Sequence, residues 1–108
     1  MTQIVATTKA TDKEKQLARA VKRKNKLNSI KNEFEGGKIK SFDQIFAIMS
    51  ETRLAEEVGI SFYTFRKKVN NPGEFTIQEI IRFSELVGVE YNIISVFILE
   101  EIKSRQRG

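Results

Sequence analysis

The chain has 108 residues and a mass of 12.4 kDa, enough for one small hydrophobic core but not for two independent ones. It contains no cysteine and no histidine, which excludes disulfides, thiol nucleophiles and the usual zinc ligand sets. Its net charge is +5, and residues 1–40 hold eleven basic and four acidic residues, so the basic excess lies in the N-terminal segment.

The first predicted helix lies in this basic segment. Thr11 and Glu14 have the S/T-x-x-E spacing of a capping box, in which each side chain accepts a hydrogen bond from a free backbone N–H. The pattern predicts a helix over residues 12–35, and its apolar residues form only a broad, drifting stripe. The glycine pair at 36–37 is typical of a helix end followed by a linker.

Two short helices with compact apolar faces are predicted after the glycine pair. Ser41 is a candidate N-cap for the first, and Ser50 or Thr52 can cap the second, which Gly59 ends. The apolar face of the first helix consists of Phe42, Ile45, Phe46, Ile48 and Met49. The inward residues of the second are Leu54, Ala55 and Val58.

A third helix is predicted over residues 62–70, with Ser61 as its N-cap and a strong turn signal at 70–73 after it. On a helical wheel it presents two opposite faces. The inward stripe consists of Phe62, Phe65 and Val69. The outward stripe, at spacings i, i+3, i+4 and i+7, consists of Tyr63, Arg66, Lys67 and Asn70.

Two more helices complete the chain. Thr76 and Glu79 form a second capping box, and the helix that it opens ends at Gly88. One face of that helix carries Ile77, Ile80, Ile81, Ser84 and Val87. The last helix, over residues 91–105, has apolar residues on most of its circumference, so the N-terminal helix or a second subunit must cover it.

These patterns predict an all-α protein, because no run of residues alternates with period two. We divide it into a basic N-terminal arm, residues 1–37, and a domain, residues 38–108. No stretch reaches the ~20 apolar residues that span a bilayer, and the polar start lacks the apolar core of a signal peptide. We therefore expect a cytoplasmic protein with no membrane association.

The outward face of the third helix combines a phenol, a guanidinium, an ammonium and a carboxamide, with no acid on the same helix. Arginine binds guanine or phosphate through two parallel hydrogen bonds, asparagine pairs with adenine, and lysine attracts phosphate. Such a face fits the major groove of DNA. The alternative is a solvated charged face on a small helical bundle.

The stretch LAEEVGIS at 54–61, followed by Thr64 and Phe65, resembles the lambda-repressor-like helix-turn-helix domains of the phage repressor and Cro type. The resemblance covers residues 41–90. It implies a bundle of about five helices, to which the basic N-terminal helix is an addition. It further implies that the third helix of this domain enters the major groove and that helix N-termini hold the phosphate backbone.

The resemblance assigns DNA contacts by position. The recognition element comprises Ser61, Tyr63, Thr64, Arg66, Lys67 and Asn70. Thr52 and Arg53 become candidate phosphate contacts. For Tyr63 an ordinary surface aromatic is an equal alternative to a phosphate contact.

Five cations of the N-terminal helix are candidates for additional phosphate contacts, because each can displace condensed counterions from a duplex. They are Arg19, Lys22, Arg23, Lys24 and Lys26. The alternative is a solvated basic helix.

These features favour a small sequence-specific DNA-binding protein, a transcriptional regulator of phage type that forms a homodimer through its apolar C-terminal helix. Its partner would be double-stranded DNA, and no enzymatic activity, cofactor, metal or small-molecule substrate is expected. One alternative is a protein-interaction or RNA-associated adaptor, antitoxin-like, in which Phe62, Tyr63 and the C-terminal helix form the contact surface. Another is an architectural protein that binds DNA without sequence preference.

Overall fold

A computed structural model describes residues 11–107, and all regular secondary structure in this range is helical. The elements are α1 (Asp12–Glu35), α2 (Phe42–Ile48), α3 (Glu51–Val58), α4 (Phe62–Asn70), a 3₁₀ turn (Pro72–Glu74), α5 (Ile77–Val87) and α6 (Tyr91–Arg107). The all-α prediction is confirmed for these residues, and none of their helices is long and apolar enough to cross a membrane. The first ten residues of the predicted arm, with the charge of Lys9, lie outside the described range.

The helix ends follow the predicted capping chemistry. At the start of α1 the Thr11 hydroxyl accepts from the Glu14 N–H at 3.1 Å, and the Glu14 carboxylate accepts from the Thr11 N–H at 2.7 Å. The same exchange opens α5. Ser50 caps α3 by accepting from the backbone N–H of Arg53, which decides between the two candidate caps. Gly59 ends α3 with φ of 82°, a left-handed conformation that a side chain would strain.

The core is formed by all six helices. Its completely buried side chains include Ile30 of α1, Ile45 of α2, Leu54 of α3 and Ile94 of α6. From residue 27 onward α1 packs into this core through Leu27, Ile30 and Phe34, whereas residues 11–26 are exposed. Side chains on both sides of the predicted boundary at residue 37 therefore share one core.

Seven of the eight phenylalanines form one connected network of ring contacts. Phe34 of α1 meets Phe97 of α6 edge to face, with ring centroids 5.4 Å apart, and Phe97 meets Phe42 of α2 at 5.0 Å. The network continues through Phe46 to Phe65 of α4. Aromatic packing thus joins the basic helix to the helix that carries the predicted DNA-contacting face.

The structure corrects two predicted apolar faces. Phe62 was placed on the inward stripe of α4, but it is the first residue of that helix and 41% of its surface is exposed. On α5 the buried residues are Phe83, Ser84 and Val87, whereas Ile77 lies 68% exposed. Each exposed residue is the first of its helix, where the neighbouring helices cover less of the side chain. Further along, Phe65 and Val69 of α4 and Ser84 and Val87 of α5 are buried as predicted.

The last helix is covered on one side by the described chain. Ile94, Phe97 and Ile98 are buried, and Phe97 contacts Phe34 of α1, so the N-terminal helix supplies part of the expected cover. Val96 and Leu99, on the other side, are 54% and 46% exposed. A homodimer through α6 stays a prediction.

Candidate nucleic-acid interface

The helix α4 begins at a tight turn after α3. The Ser61 hydroxyl accepts from the Thr64 N–H at 3.2 Å and donates to the Thr64 Oγ1 at 2.9 Å. The hydroxyls of Ser61 and Thr64, both assigned to the recognition element, therefore form hydrogen bonds at the N-terminus of α4. Thr64 is half-buried, while Ser61 is exposed and can still meet a partner.

An ion pair with α5 and hydrogen bonds from α6 hold α4 from behind. The Lys68 ammonium lies 2.7 Å from both carboxylate oxygens of Glu79 on α5. Burial acts to raise the pKa of Glu79, but hydrogen bonds from Lys68 and Thr76 outweigh it, and the pKa lies below its ordinary value. At the other end, the Arg105 guanidinium of α6 donates to the Val69 carbonyl at 2.9 Å and to the Asn70 carbonyl at 3.2 Å.

The outward face of α4 brings together four of the predicted contact residues. Tyr63 is 78% exposed, and Arg66, Lys67 and Asn70 are exposed beside it. Because the Lys68–Glu79 pair and Arg105 fix the opposite side of the helix, this face does not depend on a partner for its orientation. It offers a phenol, a guanidinium, an ammonium and a carboxamide to a ligand.

Arg66 has neighbours that the sequence pattern did not show. Its Nη1 lies 3.8 Å from Glu51 Oε1 at the start of α3, and its guanidinium lies 5.9 Å from the ring centroid of Phe62. The helix α4 has no acidic residue of its own, but Glu51 of α3 lies close to Arg66. The pair is largely solvated, since 62% of the Arg66 side chain is exposed, so it orients the guanidinium without neutralising it.

Phe62 is a surface residue that sequence reasoning assigned to the core. It begins α4, next to Tyr63, and together they present two exposed aromatic rings. The only related signal in the sequence is the i+4 spacing of Phe62 and Arg66, which lets a cation lie over a ring on the same side of a helix.

A second basic surface lies between α1 and the start of α3. We call it the cationic groove, and its lining residues are Arg19, Lys22, Arg23, Lys26, Met49 and Arg53. It unites four of the five predicted arm cations with one of the two predicted phosphate contacts of α3. Lys24 does not line it, and Thr52 lies exposed next to Arg53.

Arg23 holds α1 against α3 at this groove. Its Nε and Nη2 donate to the two carboxylate oxygens of Glu57 at 2.6 and 2.8 Å, in a bidentate pair. The hydrogen bonds from Arg23 lower the pKa of Glu57 despite its partial burial, and those to Glu57 raise the pKa of Arg23. The sequence gives no sign of this contact, because the residues are 34 positions apart.

Most of the predicted contact residues therefore lie on two basic surfaces, the outward face of α4 and the cationic groove, and Lys24 and Thr52 belong to neither. Within residues 11–107 no group of acidic side chains has the arrangement of a metal site. Comparisons with protein-family models, with curated proteins and with solved structures find no match for this chain.

Proposed function

We propose that the protein binds double-stranded DNA with sequence preference and acts as a small cytoplasmic transcriptional regulator of phage type. The observation that carries this proposal is the exposed face of α4, where Tyr63, Arg66, Lys67 and Asn70 lie together on a helix fixed from behind. A single exposed helix with donors of this kind fits the major groove, which admits one α-helix.

The lambda-repressor-like architecture is part of the proposal. In it, α3 and α4 with the turn at Gly59 correspond to the helix-turn-helix, and α2, α5 and α6 support them. The 9-residue α4 would read base edges, and Arg66 would grip guanine through two parallel hydrogen bonds. Glu51 would hold the Arg66 guanidinium until the duplex takes the place of Glu51.

A homodimer is also proposed, because Val96 and Leu99 leave an apolar strip on α6 exposed. Two copies would place two α4 helices on half-sites about one helical turn apart. Occupancy of such a site would block or recruit polymerase.

Selection from random duplexes, followed by affinity measurement, tests the proposal. Replacing Arg66 with alanine should cost about 1–3 kcal/mol on the selected site and relax the preference at one base pair. The Arg66→Lys variant is the matched control, since it keeps the charge but loses the two parallel bonds, and it should also lose the preference. Equal losses on selected and random duplexes for both variants would contradict the assigned role.

One observation favours a second candidate function. Phe62 and Tyr63 are exposed side by side, at 41% and 78%, as expected of a protein-binding surface. In that case the chain would be an adaptor on a helical scaffold. A selection that yields no preferred duplex, together with a partner that Phe62→Ala and Tyr63→Ala both release, would support the adaptor.

A further inference from the structure

The cationic groove has a fixed shape. One wall is α1, whose Ile30 is completely buried and whose Leu27 is 8% exposed, so the helix is anchored directly after the groove. The other wall is the start of α3, and the Arg23–Glu57 pair joins the two walls at 2.6 Å. The two walls are therefore already joined before a ligand binds.

The charges of the groove are only partly balanced. Arg23 is paired with Glu57, and the Arg53 Nη1 lies 3.5 Å from Glu56 in an exposed contact. In the described part of the chain, the other three cations form no ion pair: Arg19, Lys22 and Lys26. They follow each other on one face of α1 at spacings i, i+3 and i+7, which directs them to the same side as Arg53.

The groove is also small. Its cavity measures about 60 Å³, several times the ~10–15 Å³ that one water molecule needs on this measure. It offers room for one compact anionic group between the walls. A longer stretch of backbone would have to pass over it and could place only one phosphate inside.

We propose that the cationic groove binds a single backbone phosphate of the DNA, held jointly by Lys22 of α1 and Arg53 of α3. This rests on the proposed function and deepens it, because α1, α3 and α4 share one hydrophobic core. The contacted phosphate then has a fixed position relative to the bases that α4 reads. The basic helix acts at one defined point of the duplex, and Arg23 and Glu57 are positioning residues that align its wall.

The test is a scan of the selected duplex in which one phosphate at a time is replaced by a neutral methylphosphonate. For the full chain, affinity should fall about tenfold at one position per half-site, as expected for the loss of a charge-assisted contact. The Lys22→Gln and Arg53→Gln variants should bind more weakly but lose less than about threefold further at that same position, because the contact is already broken.

The Lys13→Gln variant is the control, since it removes one charge from the exposed opposite side of α1 and should leave the scan pattern unchanged. If both Lys22→Gln and Arg53→Gln keep the full tenfold loss at every sensitive phosphate, the proposal is wrong. A preferred duplex without a shared sensitive phosphate overturns the groove site alone. The absence of any preferred duplex overturns the proposed function as well.

Salt dependence gives an independent readout. Each neutralised phosphate contributes about 0.9 to the slope of log affinity against log salt. If Lys22 and Arg53 share one phosphate, the double variant should lose about 0.9 from that slope. A loss of about 1.8 would mean two separate phosphates and would overturn the shared site.

Discussion

At the scale of single residues, two phenylalanines of α4 have opposite surroundings. Phe65 is 3% exposed and packs against Phe46 and Phe75, with ring centroids 6.2 and 6.1 Å away. Phe62, three positions earlier, is 41% exposed and lies beneath the Arg66 guanidinium. Residue type therefore does not determine burial on this helix, and the two rings contribute to different properties.

We expect alanine substitutions to separate these contributions. Phe65→Ala should lower the free energy of unfolding by about 3–5 kcal/mol, because it leaves a cavity in the aromatic network. Phe62→Ala should lower this free energy by about 1 kcal/mol, because unfolding exposes little further apolar area of a ring that is already half-exposed. Urea titration of both variants measures the difference. Equal losses in the free energy of unfolding would mean that Phe62 contributes to the core as Phe65 does.

At the scale of elements, local chemistry predicted the helix ends well and their docking poorly. The capping boxes at Thr11 and Thr76 and the stop at Gly59 involve residues within one turn of each other, so the sequence pattern contains all of the information. The docking of α1 depends on Arg23 meeting Glu57 and on Phe34 meeting Phe97. Such contacts join distant parts of the chain, and no local periodicity encodes them.

The same reasoning applies to the candidate site. The outward stripe of α4 was predictable because helical spacing alone places its residues on one side. The cationic groove was not predictable, although all five of its cations are candidate contact residues on sequence grounds alone. Its existence depends on the docking of α1 beside α3, which joins Arg23 to Glu57 across 34 positions of the chain.

The Arg23–Glu57 pair should make the docking of α1 dependent on pH. The folded-state pKa of Glu57 is lowered from its ordinary value of 4.5, so the pair stabilises the fold above that value. The stabilisation is lost as the pH falls through the folded-state pKa. Thermal unfolding of the protein and of Glu57→Gln should differ at pH 7 and converge as the pH falls below about 4.5.

This comparison has an internal control. Glu79 also has a lowered pKa and destabilises the fold on protonation in the same sense, but it does so equally in both proteins. The difference between the two melting curves therefore reports Glu57. A difference that grows toward acidic pH would contradict the assigned pair.

The contact of α6 with the end of α4 is a second docking feature with a measurable consequence. Arg105 joins the last carbonyls of α4 to Glu101, which is 6% exposed. Arg105→Met should lower the free energy of unfolding by about 1–3 kcal/mol, because the Val69 carbonyl and the buried Glu101 carboxylate lose this partner. Lys103→Met, two residues away on the exposed side of α6, should change it by less than about 0.5 kcal/mol.

At the scale of the whole molecule, the basic helix has two halves with different roles. Residues 11–26 are exposed and contribute the α1 wall of the cationic groove, whereas Leu27, Ile30 and Phe34 belong to the core. The first half of α1 therefore carries the exposed charge, and the second half anchors the helix in the core. Deleting the two halves should therefore affect the fold differently.

Two truncations should behave differently. Removing residues 1–20 leaves Arg23 and the three core residues of α1, so the thermal unfolding midpoint should change little. Removing residues 1–36 deletes three buried side chains, each worth about 2–5 kcal/mol, against a total stability of about 5–15 kcal/mol. Circular dichroism should then show little or no cooperative unfolding. A fully cooperative transition after the longer deletion would show that α1 is dispensable for the core.

The exposure of Tyr63 also has an optical consequence. The chain has no tryptophan and two tyrosines, so its ultraviolet emission comes from Tyr63 on α4 and Tyr91 at the start of α6. Tyr63 is the more exposed of the two, at 78% against 36%. A ligand that covers α4 should quench part of this emission in the unlabelled protein, and Tyr63→Phe should remove the response. Tyr63 is therefore an intrinsic spectroscopic probe on the outward face of α4.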